Sequence, residues 1–403
     1  MSNTALIREA LATGEGLLRL APCWVPRPLS IPGGRLRLDP RDLYALGAHR
    51  GGMAERWLAS TTCADNGPGT PGDAGLSHVV ANGTRVLLRE ALETLGEDLL
   101  GPETARQEGG WSVLCKLTDN SGPVPHHLHL GSEHAALVGR KAKAESCYYP
   151  AQLNLCLGGF PYAFMGLNPG TSKAEVRRCL ERWDEGDNGI LYHSPAHKLR
   201  PGTGWQINAG ILHAPGSLVA YKPQVNSDVS ATFQSMVDGR PVSRELLVKD
   251  VPPDRREDLE YIAGLLDWDA NLDPEFVQKR LFHPKPVQAE DLMADCGYCE
   301  KWIAYASPLY SAKELTVLPG RAAFVRDAAA YGLIAIEGWG TVSRLEVEAP
   351  TLIRHGQMTK DELFVTAAAA REGVVIRNRS DRESLVMLKH FGPGNPDLPA
   401  PAD

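Results

Sequence analysis

The 403-residue chain has no apolar run approaching the roughly 18 residues that a membrane-spanning helix needs. A basic stripe is also missing. The 42 Lys and Arg are outnumbered by 49 Asp and Glu, and a net charge of −7 argues against a polyanionic partner. Neither nucleic acid nor membrane is therefore expected among its partners. The N-terminal MSNTALIREALATGEGLLRLAPCW places Arg8, Glu9, Glu15 and Arg19 where a secretory signal keeps an apolar core, so cytoplasmic residence is the expectation. Cysteines are few and scattered, at 23, 63, 115, 147, 156, 179, 296 and 299, in a chain too large to need disulfide staples. Cys296 and Cys299 have CxxC spacing. A zinc ribbon needs a second such pair, which the sequence lacks, so two separately packed thiols are expected. No tandem repeat with a period of 20–50 residues is visible.

Long helical patterns are scarce as well. Gly (40 residues) and Pro (30 residues) fall between short apolar segments, which is how many-stranded antiparallel β structure reads. Short helices are expected at residues 3–12, Thr84–Leu95 and Ser172–Trp183, and as a pair at Asp254–Leu266 and Pro274–Leu281. That pair separates two β-rich blocks, and the length suffices for two cores. The reading is residues 1–245 for the first block, 246–300 for a helical linker, 301–392 for the second block and 393–403 for a flexible tail. Strands of the second block are expected at Trp302–Ala306, Glu314–Leu318, Leu333–Ile336, Thr341–Val347, Glu362–Val365, Gly373–Arg377 and Ser384–Lys389.

The richest stretch is residues 122–150, GPVPHHLHLGSEHAALVGRKAKAESCYYP. Four of the twelve histidines, His126, His127, His129 and His134, lie there within nine residues. On a strand, residues i and i+2 point to one side, so His127 and His129 would aim their rings together. Some 85 residues on, GWQINAGILH ends in His213, with an Asn-Ala-Gly turn between two strand-like runs; a hairpin there would deliver a third imidazole. HxH, a later carboxylate and G-x-x-H form the cupin metal pattern, and two neutral imidazoles on one face suit a divalent cation. Two carboxylates compete for the fourth place: Glu133, close behind HxH, and Glu145, in a strand-like run beside Tyr148 and Tyr149.

In order and spacing these pieces resemble the type I mannose-6-phosphate isomerases. Glu55, Trp57 and Ser60 match an E-x-W-x-x-S segment, and Asn82-Gly83 matches V-x-N-G. WSVLCKLTD at Trp111–Asp119 resembles P-x-L-x-K-x-x-D. Lys143-Ala144-Glu145 resembles K-x-E, Gly210–Ala214 resembles G-x-x-H-A, and Asn226-Ser227-Asp228 resembles N/S-S-D. The resemblance implies a mainly β fold of two jelly-roll barrels, with His127, His129, Glu145 and His213 as metal ligands and Glu133 as a solvated turn residue. It implies a divalent cation, zinc first and iron, manganese, nickel or cobalt as alternatives. The second block, with LIAIEGWG at Leu333–Gly340 and only His355 in the relevant range, resembles the family's C-terminal barrel, without metal.

The implied activity is aldose–ketose isomerisation of a sugar phosphate, such as the mannose 6-phosphate and fructose 6-phosphate pair, or of a related sugar. Lys143 matches the family lysine two residues before the carboxylate ligand and is the candidate proton carrier. Trp57, Ser60, Lys116 and Tyr148 are candidate substrate contacts; Arg50, Trp111 and Trp205 are weaker ones. Two departures stand out. Lys222 replaces a family glutamate, and the stretch from Asp228 through Thr232 to Gln234 lacks the family arginine; the next arginine is Arg240. Lysine cannot do the work of a carboxylate, nor glutamine that of a guanidinium. Either Lys222 and Arg240 take over these roles, or the substrate differs. A metal barrel of another reaction class and a non-catalytic sugar-binding protein remain the alternatives.

Overall fold

The strands form in antiparallel pairs punctuated by Gly and Pro, and a computed structural model describes them for residues 2–67, 69–107 and 110–399. In the first block a seven-stranded sheet has the spatial order Leu281–Phe282, Gly204–Ile207, Glu145–Tyr148, Ala220–Val225, Val113–Thr118, Gly52–Leu58 and Cys23–Arg27. A five-stranded sheet has the order Ala196–Lys198, Tyr162–Met165, His213–Ala214, His127–Leu128 and Ala231–Thr232. The second block repeats the plan. Its seven-stranded sheet is centred on Tyr331–Glu337, Leu385–Phe391 and Ser311–Val317, and its four-stranded sheet runs from Ala322–Val325 to Leu345–Glu348. This is the two-barrel, mainly β architecture expected.

The period-two alternation of the strands explains how the barrels meet. From the first large sheet Leu58, Cys115, Leu117, Tyr148 and Tyr221 enter one shared core with Ile334, Ile336, Val386 and Leu388 of the second. The large sheets therefore pack back to back. Arg56 lies on that same outward face and is almost fully buried, with Nη1 2.7 Å from Asp361 Oδ2 and Nη2 3.0 Å from Glu362 Oε2. Alternate residues of these strands, including Glu55, Lys116, Lys222 and Glu145, turn inward and build the site. The lumen of the second barrel holds a buried ion network instead: Asp327 accepts from Lys313 at 2.6 Å and from Lys389 at 2.7 Å, and Lys389 also pairs with Glu300.

Several boundaries need correction. The sequence pattern predicts one helix over Thr84–Leu95. Asn82 and Gly83, both with positive φ, instead make a hairpin turn that pairs His78–Ala81 with Thr84–Leu87, and the helix follows at Leu88–Leu100. The linker helices are shorter than expected, Leu259–Ala263, Trp268–Asn271 and Phe276–Arg280, because Leu281–Phe282 leaves as an edge strand against Gly204–Trp205. Thr341–Val347 splits into Trp339–Val342 and Leu345–Glu348 at Ser343, whose φ is 50°. Lys173–Glu181 forms as expected, closed by a reciprocal capping box between Ser172 and Glu175.

The N-terminal segment does not stay with the first block. Leu17–Arg19 adds an edge strand to Leu363–Val365 of the second, burying Leu17 and Leu18. Nor is the tail loose from residue 393. Asn395 donates to Ser311 Oγ at 3.1 Å, and the Ala328 amide donates to Asp397 at 2.8 Å. Residues 400–403 lie outside the described residues.

Candidate metal centre and its cleft

His127 and His213 face each other in register on neighbouring strands, and His129 follows two positions on, so three rings meet on one inner face. Their centroids are 4.3 Å apart for His127 and His213, 5.3 Å for His127 and His129, and 5.2 Å for His129 and His213. Each ring is held from behind by a main-chain carbonyl. His127 Nδ1 is 2.7 Å from Pro125 O, His129 Nδ1 is 3.0 Å from Val229 O, and His213 Nδ1 is 2.9 Å from Ile211 O. A carbonyl only accepts, so each Nδ1 donates and each Nε2 keeps its lone pair.

The expected Asn-Ala-Gly hairpin is a corner instead. Gly204–Ile207 belongs to the large sheet and His213 to the small one. Gly210, at φ 80°, makes the turn; its amide donates to His129 O at 2.7 Å and its carbonyl accepts from Asn271 Nδ2 at 2.7 Å. The corner thereby places the third imidazole and fixes the loop carrying the second.

From the opposite sheet, fully buried Glu145 reaches across. Its Oε2 is 3.3 Å from His129 Nε2 and its Oε1 is 3.5 Å from His213 Nε2. His129 Nε2, His213 Nε2 and Glu145 Oε2 are nevertheless buried without a hydrogen-bond partner. Burial, then the nearby Lys143 ammonium, bring His129 down to about 3, and burial with the adjacent rings drives His127 well below its usual value. Three imidazoles whose ligand atoms lie within 4.8 Å of one another are a donor set for a divalent cation. It is the one such group among the described residues. Glu133 stands exposed on the helix Ser132–Leu137, turned away from it.

Above the three-histidine face the large sheet carries a row of charges across five adjacent strands, Arg27, Glu55, Lys116, Lys222 and Glu145. Lys116 and Lys222 lie directly opposite each other, so two cations would repel were each not drawn to an outer carboxylate. Lys116 Nζ is 3.2 Å from Glu55 Oε1, and Lys222 Nζ is 2.6 Å from Glu145 Oε1. Burial would lift the Glu145 carboxyl; Lys222 and His129 more than cancel that and hold it well below the carboxylate range. Arg27 grips Asp228 through both Nη atoms, at 3.0 and 3.1 Å, and Glu55 through Nε at 3.0 Å. Lys143 is buried, with Nζ 3.8 Å from Asp228 Oδ1; burial and the nearby Lys116 bring its ammonium down to about 7. These groups line an open cleft of about 980 Å³, mouth included.

The other candidates divide. Lys116, Lys143 and Lys222 line the cleft with His127, His129 and Glu145. Trp57 is buried behind its floor, where Nε1 donates to Glu55 Oε2 at 2.8 Å, so it orients a cleft residue without lining the cleft. Ser60 is buried against Thr62 and Ser77, and Tyr148 points outward to donate to Glu314 at 3.0 Å. Arg240 sits on the hairpin Met236–Pro241 near Asp238, outside the cleft, and Arg50 is also outside. Trp111 and Trp205 are core residues, and Cys296 and Cys299 are free thiols. His126 is buried against Ser194 and His134 lies beside Tyr261. The guanidinium of the cleft is thus Arg27, which sequence reasoning missed because WVPR is an ordinary strand. Glu55 and Asp228 were visible in motifs but had no assigned role. Gln224, in register with Glu145 and fully buried with both amide atoms unpartnered, carried no signal at all.

No family model matches the chain, and no curated protein matches it in sequence. Solved structures do. A mannose 6-phosphate isomerase from Bacillus subtilis is 16% identical with a TM-score of 0.61, over 93% of this chain and 99% of that one. A single-residue mutant of phosphomannose isomerase from Salmonella typhimurium is 12% identical with a TM-score of 0.60, over 94% and 100%. A zinc-bound mannose 6-phosphate isomerase is 14% identical with a TM-score of 0.60, over 94% and 100%. At such identities the matches speak to architecture: along nearly its whole length the chain has the two-barrel cupin fold of these proteins.

Proposed function

We propose that the protein is a metal-dependent aldose–ketose isomerase of a sugar phosphate or related sugar. The observation that carries the reading is the set of three imidazoles gathered beside a cleft, with His129 Nε2 and His213 Nε2 buried without hydrogen-bond partners and 3.3 and 3.5 Å from the Glu145 carboxylate oxygens. The same activity is named for the solved proteins that share the fold. His127, His129 and His213, with Glu145, would hold the ion, and zinc fits this nitrogen-rich set. Three imidazoles and a carboxylate also suit iron, so metal identity separates this reading from a metal barrel of another reaction class.

When bound, a divalent cation supplies Lewis acidity to the sugar's carbonyl and hydroxyl oxygens. The chain supplies the rest. Lys143 is the buried amine whose value near 7 suits it to take a proton from one carbon and return it to its neighbour. Asp228, held by Arg27, sets the position of that amine. Lys222 keeps Glu145 ionised and facing the imidazoles. Leu29 and Leu246 give the cleft wall its apolar part.

Elemental analysis of protein purified without chelator, followed by proton NMR with mannose- and fructose-type substrates in deuterated water, tests the proposal. About one metal per chain, with interconversion and solvent deuterium at the carbon bearing the transferred proton, is the expected result. Protein that takes up no divalent metal would overturn it.

A further inference from the structure

We propose that the cleft selects an unphosphorylated sugar, a neutral polyhydroxylated chain, over its phosphate ester. The inference rests on the isomerase reading for the reaction but on its own observation for the substrate class. A phosphate dianion is recognised by cationic donors free to face it, usually a guanidinium fork or several ammonium groups. Five basic side chains line this cleft, Arg27, Lys116, Lys143, Lys222 and Lys249. Every one already has a carboxylate within 4.0 Å: Arg27 has Glu55 and Asp228, Lys116 has Glu55, Lys143 has Asp228, Lys222 has Glu145, and Lys249 has Asp250 at 3.0 Å. Both Nη atoms and the Nε of Arg27, the one guanidinium among them, are committed to carboxylates. Arg35, the next guanidinium along the chain, is also taken, by Asp119 and by the carbonyls of Cys156 and Asn120.

A phosphate entering the cleft would have to break buried pairs and leave their carboxylates uncompensated beside its own negative charge. A sugar hydroxyl has no such requirement. It donates to a carboxylate and accepts from an ammonium at once, so a wall of matched ion pairs offers both partners without being dismantled. The neutral lining fits the same demand, with Ser30, Asn120, Ser230 and Thr232 offering hydroxyls and an amide, and the Asn120 Oδ1 buried without a partner. Lys222, on this wall, is spent on Glu145, and no arginine follows Asp228 until Arg240, outside the cleft.

The test is a binding measurement, which does not depend on turnover. Calorimetric titration of the zinc-loaded and the metal-free protein would use D-mannose, D-fructose and D-ribose, the 6-phosphates of the two hexoses, and inorganic phosphate. Free sugar binding at least tenfold tighter than its 6-phosphate, with no saturable binding of inorganic phosphate to the metal-free protein, is the expected outcome. Phosphate held by the ion itself disappears with the metal and is separated that way. Asp228→Asn, which removes one of the two carboxylates holding Arg27 and the one beside Lys143, should gain phosphate affinity by tenfold or more. A 6-phosphate that binds tenfold tighter than its free sugar overturns the proposal, and so does the failure of all three free sugars to bind. Free sugars that bind without being interconverted would leave the substrate class standing and remove the isomerase reading instead.

Discussion

Replacing Lys222 with methionine perturbs the Lys222–Glu145 ion pair beside the three-histidine face. In the metal-free protein the Lys222 ammonium is the nearest countercharge to Glu145, 2.6 Å from Oε1, and both side chains are almost fully buried. Truncating one partner of a buried pair costs about 3–5 kcal/mol, because the other charge is left without compensation. With a divalent cation at the three imidazoles, the ion itself faces Glu145, so most of that loss is recovered. The thermodynamic cycle then requires the metal to bind more tightly by the difference. Recovery of about 3 kcal/mol corresponds to roughly a hundredfold lower Kd, at 1.4 kcal/mol per factor of ten. Lys222→Met is therefore expected to unfold at lower denaturant than the parent when metal-free, to match it closely when zinc-loaded, and to hold zinc about a hundredfold more tightly in a chelator competition. Equal destabilisation of both forms, with unchanged or weaker zinc affinity, would mean that Glu145 does not face the ion.

His129→Ala and His213→Ala should each lose the metal after dialysis, measured by elemental analysis, whereas Glu133→Ala, altered on an exposed helix face, should keep it. Lys143→Gln should lower kcat by about 10²–10⁴-fold with metal content unchanged, the range for loss of a positioned proton carrier; a change below tenfold in NMR turnover would remove Lys143 from that role. Burial raises the Glu362 carboxyl to about 7 despite Arg56, against 4.5 for an ordinary glutamate. The native state thus binds this proton more tightly than the unfolded chain. Its contribution is full below pH 4.5 and is lost as pH rises to about 7. Glu362→Gln should therefore be more stable than the parent above pH 7, by roughly 3 kcal/mol at most, and indistinguishable near pH 4 in urea unfolding. A parent and variant that track each other from pH 4 to 8 would contradict this.

Much of the architecture was legible because it depends on local pattern. Spacing of two between His127 and His129 sets a shared face on any strand, and Gly with Pro between short apolar runs predicts antiparallel sheets whatever their order. The same local logic placed the capped helix after Ser172 and the strand at Glu362–Val365. It failed at residues 84–95, where the Asn82–Gly83 turn outweighed a helical period, and at the corner before His213, because no pattern says which of two sheets a strand will join.

What the sequence by itself determined was the chemical inventory: paired histidines, a later carboxylate and imidazole, and a lysine two positions from that carboxylate. The tertiary structure alone decided how those groups are spent. Strand order set Lys116 against Lys222 and so sent each ammonium to an outer carboxylate. It brought Arg27 to Asp228, 201 residues away, and left Arg240 on a distant hairpin. It also buried Ser60 and turned Tyr148 outward, because on a strand one residue of register separates a cleft wall from a core. Charge pairing falls off over a few ångströms, so it is fixed by proximity in space, which separation along the chain does not encode.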